Sequence, residues 1–199
     1  MKMSYIGQII TVSFIAIFAE NTIFARALGT STLLLISRNR KNLSGFGMCV
    51  TYITLVTGVI CYFVDKQLNS RELDYIYRPL VYVLILGFVY IITLLCLWKF
   101  VYKLFSRLKK YVHVSVFNCA VLGTMFLNSE YCTTLPEYIF HGLGIGLGFV
   151  FATYMVSIVY DRLYSEKVPY GFRGYPLMLI YIGILSMAFY GLINRQLAY

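Results

Sequence analysis

Met3 to Ile36 reads MSYIGQIITVSFIAIFAENTIFARALGTSTLLLI, an apolar segment interrupted in its middle by Glu20-Asn21-Thr22 and then by Arg26. As one straight helix these 34 residues would be about 51 Å long. That length exceeds the ~30 Å hydrocarbon core of a bilayer, so the segment must tilt strongly, break or double back. A carboxylate and a guanidinium at membrane depth are costly unless they are paired or face a protected cavity. We therefore expect a broken element near the membrane centre, with Glu20, Asn21 and Arg26 as candidate functional residues.

The composition excludes most classes of soluble protein. The chain has 199 residues, of which 60% are hydrophobic and 13% are charged, and its mean hydropathy is +0.75. Soluble domains carry about 25% charged residues, so an ordinary globular enzyme, a disordered chain and a small disulfide-stabilised secreted domain are all excluded. In so apolar a chain, the net charge of +9 is interpreted first as an indication of membrane topology and only then as an indication of a charged partner. We expect a protein that contacts the lipid bilayer and binds no nucleic acid.

Six apolar runs lie between the charged residues, and each is long enough to cross a bilayer as a helix. They are residues 3–19, 42–64, 79–98, 111–129, 138–160 and 174–194. The alternating pattern of membrane β-strands is absent, and only helices or closed barrels can cross the hydrocarbon core. The sequence therefore predicts an all-α integral membrane protein, with six transmembrane helices in a single domain over residues 1–199.

Lysine and arginine are divided unevenly between the two sets of loops. The loops after the first, third and fifth runs hold Arg38, Arg40, Lys41, Lys99, Lys103, Arg107, Lys109, Lys110, Arg162, Lys167 and Arg173. The opposite side holds Lys2, Lys66, Arg71, Arg78 and Arg195. On that side, the loop after the second run also carries Asp65, Glu72 and Asp74. Basic residues concentrate on the cytoplasmic side of membrane proteins. Both termini are therefore expected on the outer side.

Short motifs recur along the chain at a nearly constant offset. Leu28-Gly29-Thr30 recurs as Leu122-Gly123-Thr124, an offset of 94 residues. Each half of the chain, about 1–98 and about 99–199, then contains three spans, and an odd number of spans inserts the second half upside down. The sequence thus predicts two inverted three-helix repeats with interrupted helices 1 and 4, and with function near the midplane where the halves meet.

The fourth run contains its own polar interruption, Asn118-Cys119, near its midpoint. The polar residues at the two interruptions can also be interpreted as purely structural. Glu20 and Arg26 alternatively form only a structural ion pair, and Asn118 alternatively only caps a broken helix. Both alternatives stay open at this point.

Other distinctive residues favour structural interpretations. His113 and His141 are expected to pack near the two membrane boundaries. The glycines of segment 142–148 follow no predicted strand, so a dinucleotide-binding loop is excluded, and small residues at this spacing allow helices to pack closely. The sequence also contains no HExxH, P-loop or GxSxG motif. The chain is therefore interpreted as one component of a larger complex or as a transporter.

Three segments resemble a known family of membrane subunits: ENTIFARALG at 20–29, NCAVLG at 118–123 and VPYGFRG at 168–174. Over its whole length the chain is similar to the RnfA/NqrE family, which includes RnfA of Rnf electron-transport complexes and NqrE of the sodium-pumping NADH:quinone reductase. The resemblance implies a non-autonomous subunit of an ion-translocating oxidoreductase in a bacterial plasma membrane. It also implies other Rnf/Nqr-type partner subunits, among them a homologous six-helix subunit of opposite orientation, RnfE or NqrD.

The resemblance further implies a redox cofactor. In the family, the interrupted helices of two subunits meet in mid-membrane, and each subunit supplies two cysteines to one [2Fe–2S] cluster that relays electrons across the membrane. Cys119 matches the second of these cysteines, whereas Ser31 occupies the position of the first. Because serine is a poor ligand for iron–sulfur clusters, ligation by its oxygen, substitution by another cysteine such as Cys49, or loss of the cluster all stay open.

On this interpretation Cys119 ligates iron, and the polar residues around it shape the paired broken helices. Those supporting residues are Glu20, Asn21, Arg26, Ser31 and Asn118. Two rival functions also fit the sequence. One is a small inverted-repeat ion or solute transporter without a redox centre, which would bind its cargo through half-helix ends and free carbonyls. The other is a structural scaffold without chemistry of its own.

Overall fold

The computed structural model describes residues 5–38, 40–69, 74–100 and 102–194. Within these ranges the chain forms eight α-helices and no strand, which confirms that the fold is all-α. The helices are α1 (Tyr5–Phe14), α2 (Thr30–Ser37), α3 (Arg40–Asn69), α4 (Asp74–Phe100), α5 (Tyr102–Val116), α6 (Cys119–Tyr131), α7 (Leu135–Leu163) and α8 (Tyr175–Asn194). A π-helical turn, Ile15–Ala19, extends α1.

Several of these helices suit a membrane. Among the described residues, three are long and apolar enough to cross it by themselves: Leu43–Leu68 in α3, Tyr77–Lys99 in α4, and α7. A fourth candidate span consists of Leu108–Val116 and Cys119–Tyr131, which meet at a bend of 52°, and the apolar part of α8, Tyr175–Gly191, is shorter. The prediction of a multi-pass membrane protein is confirmed. The count of six spans and their inverted arrangement stay predictions, and Lys2, Arg71, Glu72 and Arg195, which served the topology prediction, lie outside the described ranges.

Helix α7 packs against α1, α2, α3, α6 and α8. Its glycines allow two of these neighbours to approach closely. A Cβ added at Gly144 would lie 2.7 Å from the Cβ of Ala16, and one at Gly146 would lie 2.8 Å from the Cα of Thr51. Contacts this short would push α1 and α3 away from α7. The glycines of segment 142–148 therefore serve close helix packing, as the sequence predicts.

The helical backbone is interrupted at the two places where the sequence carries polar residues. After Ala19 the chain leaves the π-helical turn, and α2 begins only at Thr30, with Ala27 (φ 56°) and Gly29 (φ 80°) in left-handed conformations. The second interruption separates α5 from α6, at the 52° bend. A new helix begins after each break, α2 at Thr30 and α6 at Cys119.

The position of Asp65 differs from the sequence prediction, which placed this residue in a loop. It lies on α3 with 2% of its surface exposed, and its carboxylate accepts hydrogen bonds from the hydroxyls of Tyr82 at 2.7 Å and Tyr138 at 3.0 Å. A buried carboxylate is stable only when it is hydrogen-bonded or paired. Asp65 therefore joins α3, α4 and α7 instead of balancing loop charge.

Candidate functional site at the two helix breaks

Asn21 organises the first break. Its side chain is buried, and its Nδ2 donates to the carbonyls of Ile17 at 3.0 Å and Gly148 at 2.9 Å. Its Oδ1 accepts from the backbone N–H groups of Ile23 and Phe24, at 3.1 and 3.4 Å. Backbone groups at membrane depth must find partners within the protein. One amide side chain thus satisfies backbone groups on both sides of the break and ties them to α7.

Asn118 organises the second break in a similar way. It is the N-cap of α6, in an extended conformation, and its Oδ1 accepts from the N–H of Ala120 at 3.0 Å. This is the usual role of asparagine at a helix start. The other end of its amide, Nδ2, is buried and has no hydrogen-bond partner among the residues that the structure describes. Asn118 therefore caps the broken helix, as one of its two interpretations predicts, while its Nδ2 takes no part in the cap.

The two breaks lie directly against each other. The N–H of Gly29, the residue before α2, donates to the Sγ of Cys119 at 3.0 Å. A Cβ at Gly29 would lie 2.8 Å from the Oδ1 of Asn118 and 2.6 Å from the Cε2 of Phe149. A Cβ at Gly123 would collide with Leu28. The repeated Leu-Gly-Thr motifs of the two halves therefore meet at one junction, at the starts of α2 and α6.

Cys119 presents its thiol at this junction. It is the first residue of α6 and is exposed, and Ser31, two residues after Gly29, is exposed on the first turn of α2. The Gly29 N–H and the N-terminus of α6 place positive partial charge near the sulfur. Cys49, the alternative sequence candidate, is buried on α3. Within the described ranges, no group of three or more His, Cys, Asp or Glu side chains is arranged to hold a metal.

Glu20 and Arg26 do not pair with each other. The Oε2 of Glu20 lies 3.1 Å from the Nε2 of His141, whereas the Nη2 of Arg26 donates to the hydroxyl of Tyr131 at 3.2 Å. The ion-pair alternative for Glu20 and Arg26 is therefore wrong. Each charged group instead reaches a partner in the second half of the chain, because the first break turns the two side chains toward different helices.

A cavity of about 350 Å³ opens beside the first break. Its walls include Glu20, Arg26 and Tyr131, together with the aromatic rings of Phe24 and Phe189. The Glu20 side chain is 24% exposed, so its carboxylate connects the cavity with the buried His141. Both charged groups of the first apolar segment thus line a cavity, one of the two arrangements that the sequence predicts for them.

Comparison with known proteins identifies the family of the chain. Residues 9–194 match the family described as Rnf-Nqr subunit, membrane protein. The chain belongs to the Rnf-Nqr family. It is 29% identical, over 183 residues, to the A subunit of the Na(+)-translocating ferredoxin:NAD(+) oxidoreductase complex of Acetobacterium woodii, covering 92% of this chain and 95% of that protein. It is 28% identical to the A subunit of the ion-translocating oxidoreductase complex of Glaesserella parasuis over 190 residues, 95% of this chain and 96% of the relative. With the corresponding protein of Shewanella sediminis the identity is 28% over 176 residues, 88% and 91% of the two chains.

Two site residues of this Rnf-Nqr subunit were missed by sequence reasoning. His141, which we expected to pack at a membrane boundary, is 1% exposed, and its Nδ1 lies 2.6 Å from the Oδ1 of the fully buried Asn128. A signal for the pairing was present, because a carboxylate within an apolar segment requires a partner and the chain has only two histidines. Which histidine meets Glu20 is decided by packing of α7 against the first break.

Proposed function

We propose that the chain is the A-type membrane component of an Rnf-like ion-translocating oxidoreductase complex, and that it relays electrons through a [2Fe–2S] cluster with Cys119 as a ligand. The names of its relatives support membership of such a complex. The observation that supports the ligand is the exposed Sγ of Cys119, 3.0 Å from the Gly29 N–H where the two breaks meet. Both termini are proposed to lie on the outer side of a bacterial plasma membrane, because the predicted loops of the other side carry most of the basic residues.

The donor groups at the junction fit a cluster that is shared with another chain. Cys119 contributes one thiol, and the exposed hydroxyl of Ser31 is a weaker second donor on the neighbouring helix start. The remaining ligands would come from a homologous subunit of opposite orientation, like RnfE or NqrD. When bound, such a cluster supplies reversible electron transfer within the bilayer.

The surrounding residues would tune and hold this ligand. The Gly29 N–H bonds to the sulfur, and hydrogen bonds to cluster sulfurs are among the groups that set reduction potentials. Asn118 fixes the first turn of α6 through its bond to Ala120, so the direction of the Cys119 side chain is set by the cap. Close contact with Gly29 also shields one side of the junction from water, which further affects the potential.

The experiment is iron analysis and reduced-state EPR on the complex, purified anaerobically through a tag on this chain. Wild type is compared with Cys119→Ser and with Cys96→Ser, since Cys96 is also exposed but lies on α4, outside the junction. We expect a [2Fe–2S]-type signal in wild type and in Cys96→Ser. The signal should be lost or shifted in Cys119→Ser, with the complex still assembled.

Unchanged iron content and spectra in Cys119→Ser would remove the ligand assignment. The second candidate function, an ion or solute transporter without a redox centre, would then be favoured by the cavity that Glu20 and Arg26 line. A transported ligand that binds the folded chain raises its melting temperature by mass action. A screen of ions and small solutes for such stabilisation would distinguish a transporter from a structural scaffold.

A further inference from the structure

We propose that Glu20, His141 and Asn128 form a proton-binding site inside the helix bundle, which takes up its proton from the cavity beside Glu20. The three side chains come from the first break, α7 and α6. The site does not depend on a cluster, because it shares no residue with the junction of Gly29 and Cys119. It therefore goes beyond the proposed electron relay and can be tested separately.

The three side chains form one continuous hydrogen-bonded line. The Oδ1 of Asn128 lies 2.6 Å from the Nδ1 of His141, and the Nε2 of His141 lies 3.1 Å from the Oε2 of Glu20. Asn128 has no exposed surface and the His141 side chain has 2%, whereas the Glu20 side chain has 24%. The line thus runs from a fully enclosed amide to a carboxylate that lines the cavity.

The chemistry of the contacts determines how many protons this line holds. An amide oxygen only accepts hydrogen bonds, so the Nδ1 that faces it must carry hydrogen. In a neutral imidazole the Nε2 would then be an acceptor, and an ionised carboxylate is also only an acceptor. Two acceptors at 3.1 Å repel each other, so this orientation of the Asn128 amide requires a second proton between His141 and Glu20. With Oδ1 facing His141, the line therefore holds one proton more than an ionised Glu20 beside a neutral His141.

A state with one proton fewer is available through a single rotation. If the Asn128 amide turns by 180°, its Nδ2 donates to the Nδ1 of His141. A neutral imidazole then donates from Nε2 to the ionised Glu20, and both facing pairs are satisfied. One proton leaves to water in the cavity, and no electron is transferred. Uptake of the proton reverses the rotation.

Two observations support this rotation. The Nδ2 of Asn128 is buried and has no hydrogen-bond partner within the described part of the chain, so turning the amide breaks no hydrogen bond of that group there. Two glycines also flank it: a Cβ at Gly58 would lie 3.1 Å from this Nδ2, and one at Gly142 would lie 3.9 Å from it. A buried amide group without a partner is unfavourable. The rotation gives this Nδ2 a partner, the Nδ1 of His141, in the state with one proton fewer.

Other charged and titratable groups surround the site without joining the line. Lining the cavity with Glu20 are Arg26 from the first break, Tyr131 from α6 and Tyr190 from α8. Cys132, which follows α6, lies within electrostatic range of Glu20. On α7, Glu137 accepts from the backbone of Thr133 and Thr134, and on α3 Asp65 accepts from Tyr82 and Tyr138. The carboxylates of Glu137 and Asp65 are thus held by other donors.

The test measures the protonation of the two ring nitrogens of His141. The full chain is labelled with ¹⁵N-histidine, placed in lipid nanodiscs and studied by solid-state NMR over a pH series. The chain has two histidines, so His113→Gln assigns the His141 signals. We expect His141 to change from two protonated ring nitrogens to one as pH rises.

Three variants test whether the change at His141 depends on Glu20 and Asn128. Glu20→Gln should lower the pH at which His141 changes from two protonated ring nitrogens to one, because the ionised carboxylate that stabilises the doubly protonated imidazole is lost. Asn128→Asp should keep the Nδ1 protonated throughout the series, because a carboxylate cannot donate to it. Glu130→Gln alters a carboxylate of α6 outside the line and should leave the change as in wild type.

Two results would overturn the proposal. One is a wild-type His141 whose nitrogens keep the same protonation across the whole series. The other is a change that persists unaltered in Glu20→Gln. The wild-type spectra decide the first point without any variant, so a variant that fails to fold does not leave the proposal untested.

Discussion

The backbone N–H of Gly29 donates a hydrogen bond to the Sγ of Cys119 at 3.0 Å, although 90 residues separate them in the chain. The contact joins the starts of α2 and α6, the two helices that begin at the breaks. It gives the thiol a partner that depends on backbone geometry, since the N–H belongs to a residue with φ of 80°. The junction is therefore sensitive to changes at Gly29 as well as at Cys119.

Gly29→Ala should destabilise the protein by about 2–4 kcal/mol, because the new Cβ meets Phe149 and Asn118 and the left-handed backbone disfavours alanine. Thermal unfolding in detergent measures the effect as a melting temperature lowered by several degrees. Gly183→Ala on α8 is the matched control, since a Cβ there has no neighbour within 4 Å. Equal melting temperatures for the two variants would contradict the close contact at the junction.

Asn21→Ala should destabilise the protein more than Asn118→Ala. The first change removes four hydrogen bonds from a buried site, including the bond to Gly148 of α7, and leaving buried groups unpaired costs about 1–3 kcal/mol each. The second change removes one capping bond, worth about 1 kcal/mol. The two melting temperatures, measured under the same conditions, check this order. A larger loss for Asn118→Ala would show that Asn21 does not hold the first break.

Tyr138→Phe and Tyr82→Phe should each lower stability by about 1–3 kcal/mol, because each removes a donor from the buried carboxylate of Asp65. Tyr52→Phe alters an exposed tyrosine of α3 and serves as control, with little change expected. Thermal unfolding again reports the differences. If both variants at Asp65 melted like the control, the carboxylate would not depend on these hydroxyls.

Ser31→Cys should increase the iron content of the anaerobically purified complex, because thiolate is a better ligand than a hydroxyl for iron–sulfur clusters. The increase should require Cys119, so the double variant Ser31→Cys, Cys119→Ser should show no gain over Cys119→Ser. Iron analysis and EPR measure both effects. A gain that is independent of Cys119 would show that the two positions do not share a site.

Much of the fold could be predicted from the sequence because membrane-spanning helices obey a local rule. The predicted apolar runs lie on helices wherever the structure describes them, apart from the short connections at the breaks, and both polar interruptions coincide with helix ends. Asn21 and Asn118 could be recognised for the same reason. An amide side chain at membrane depth needs hydrogen-bond partners, and a helix break supplies free backbone groups close to it.

Hydrogen-bond partners on other helices of the bundle could not be predicted from the sequence. Glu20 was expected to need a partner, yet its partner is His141, 121 residues away, and not the nearby Arg26. Asp65 looked like a loop residue beside Lys66, but it is buried and accepts from the hydroxyls of two other helices. The spacing of residues along one helix does not indicate which face of another helix these residues contact.

The sequence by itself determined that this chain is helical, that it belongs in a membrane and that its helices break at Glu20-Asn21 and Asn118-Cys119. Those properties follow from local hydropathy and from the need of each backbone group for a partner in an apolar medium. Only the tertiary structure decided that the two breaks touch through Gly29 and Cys119, and that Glu20 is joined to His141 and Asn128. These contacts depend on how closely α7 and its glycines let neighbouring helices approach, which is a property of packing in three dimensions.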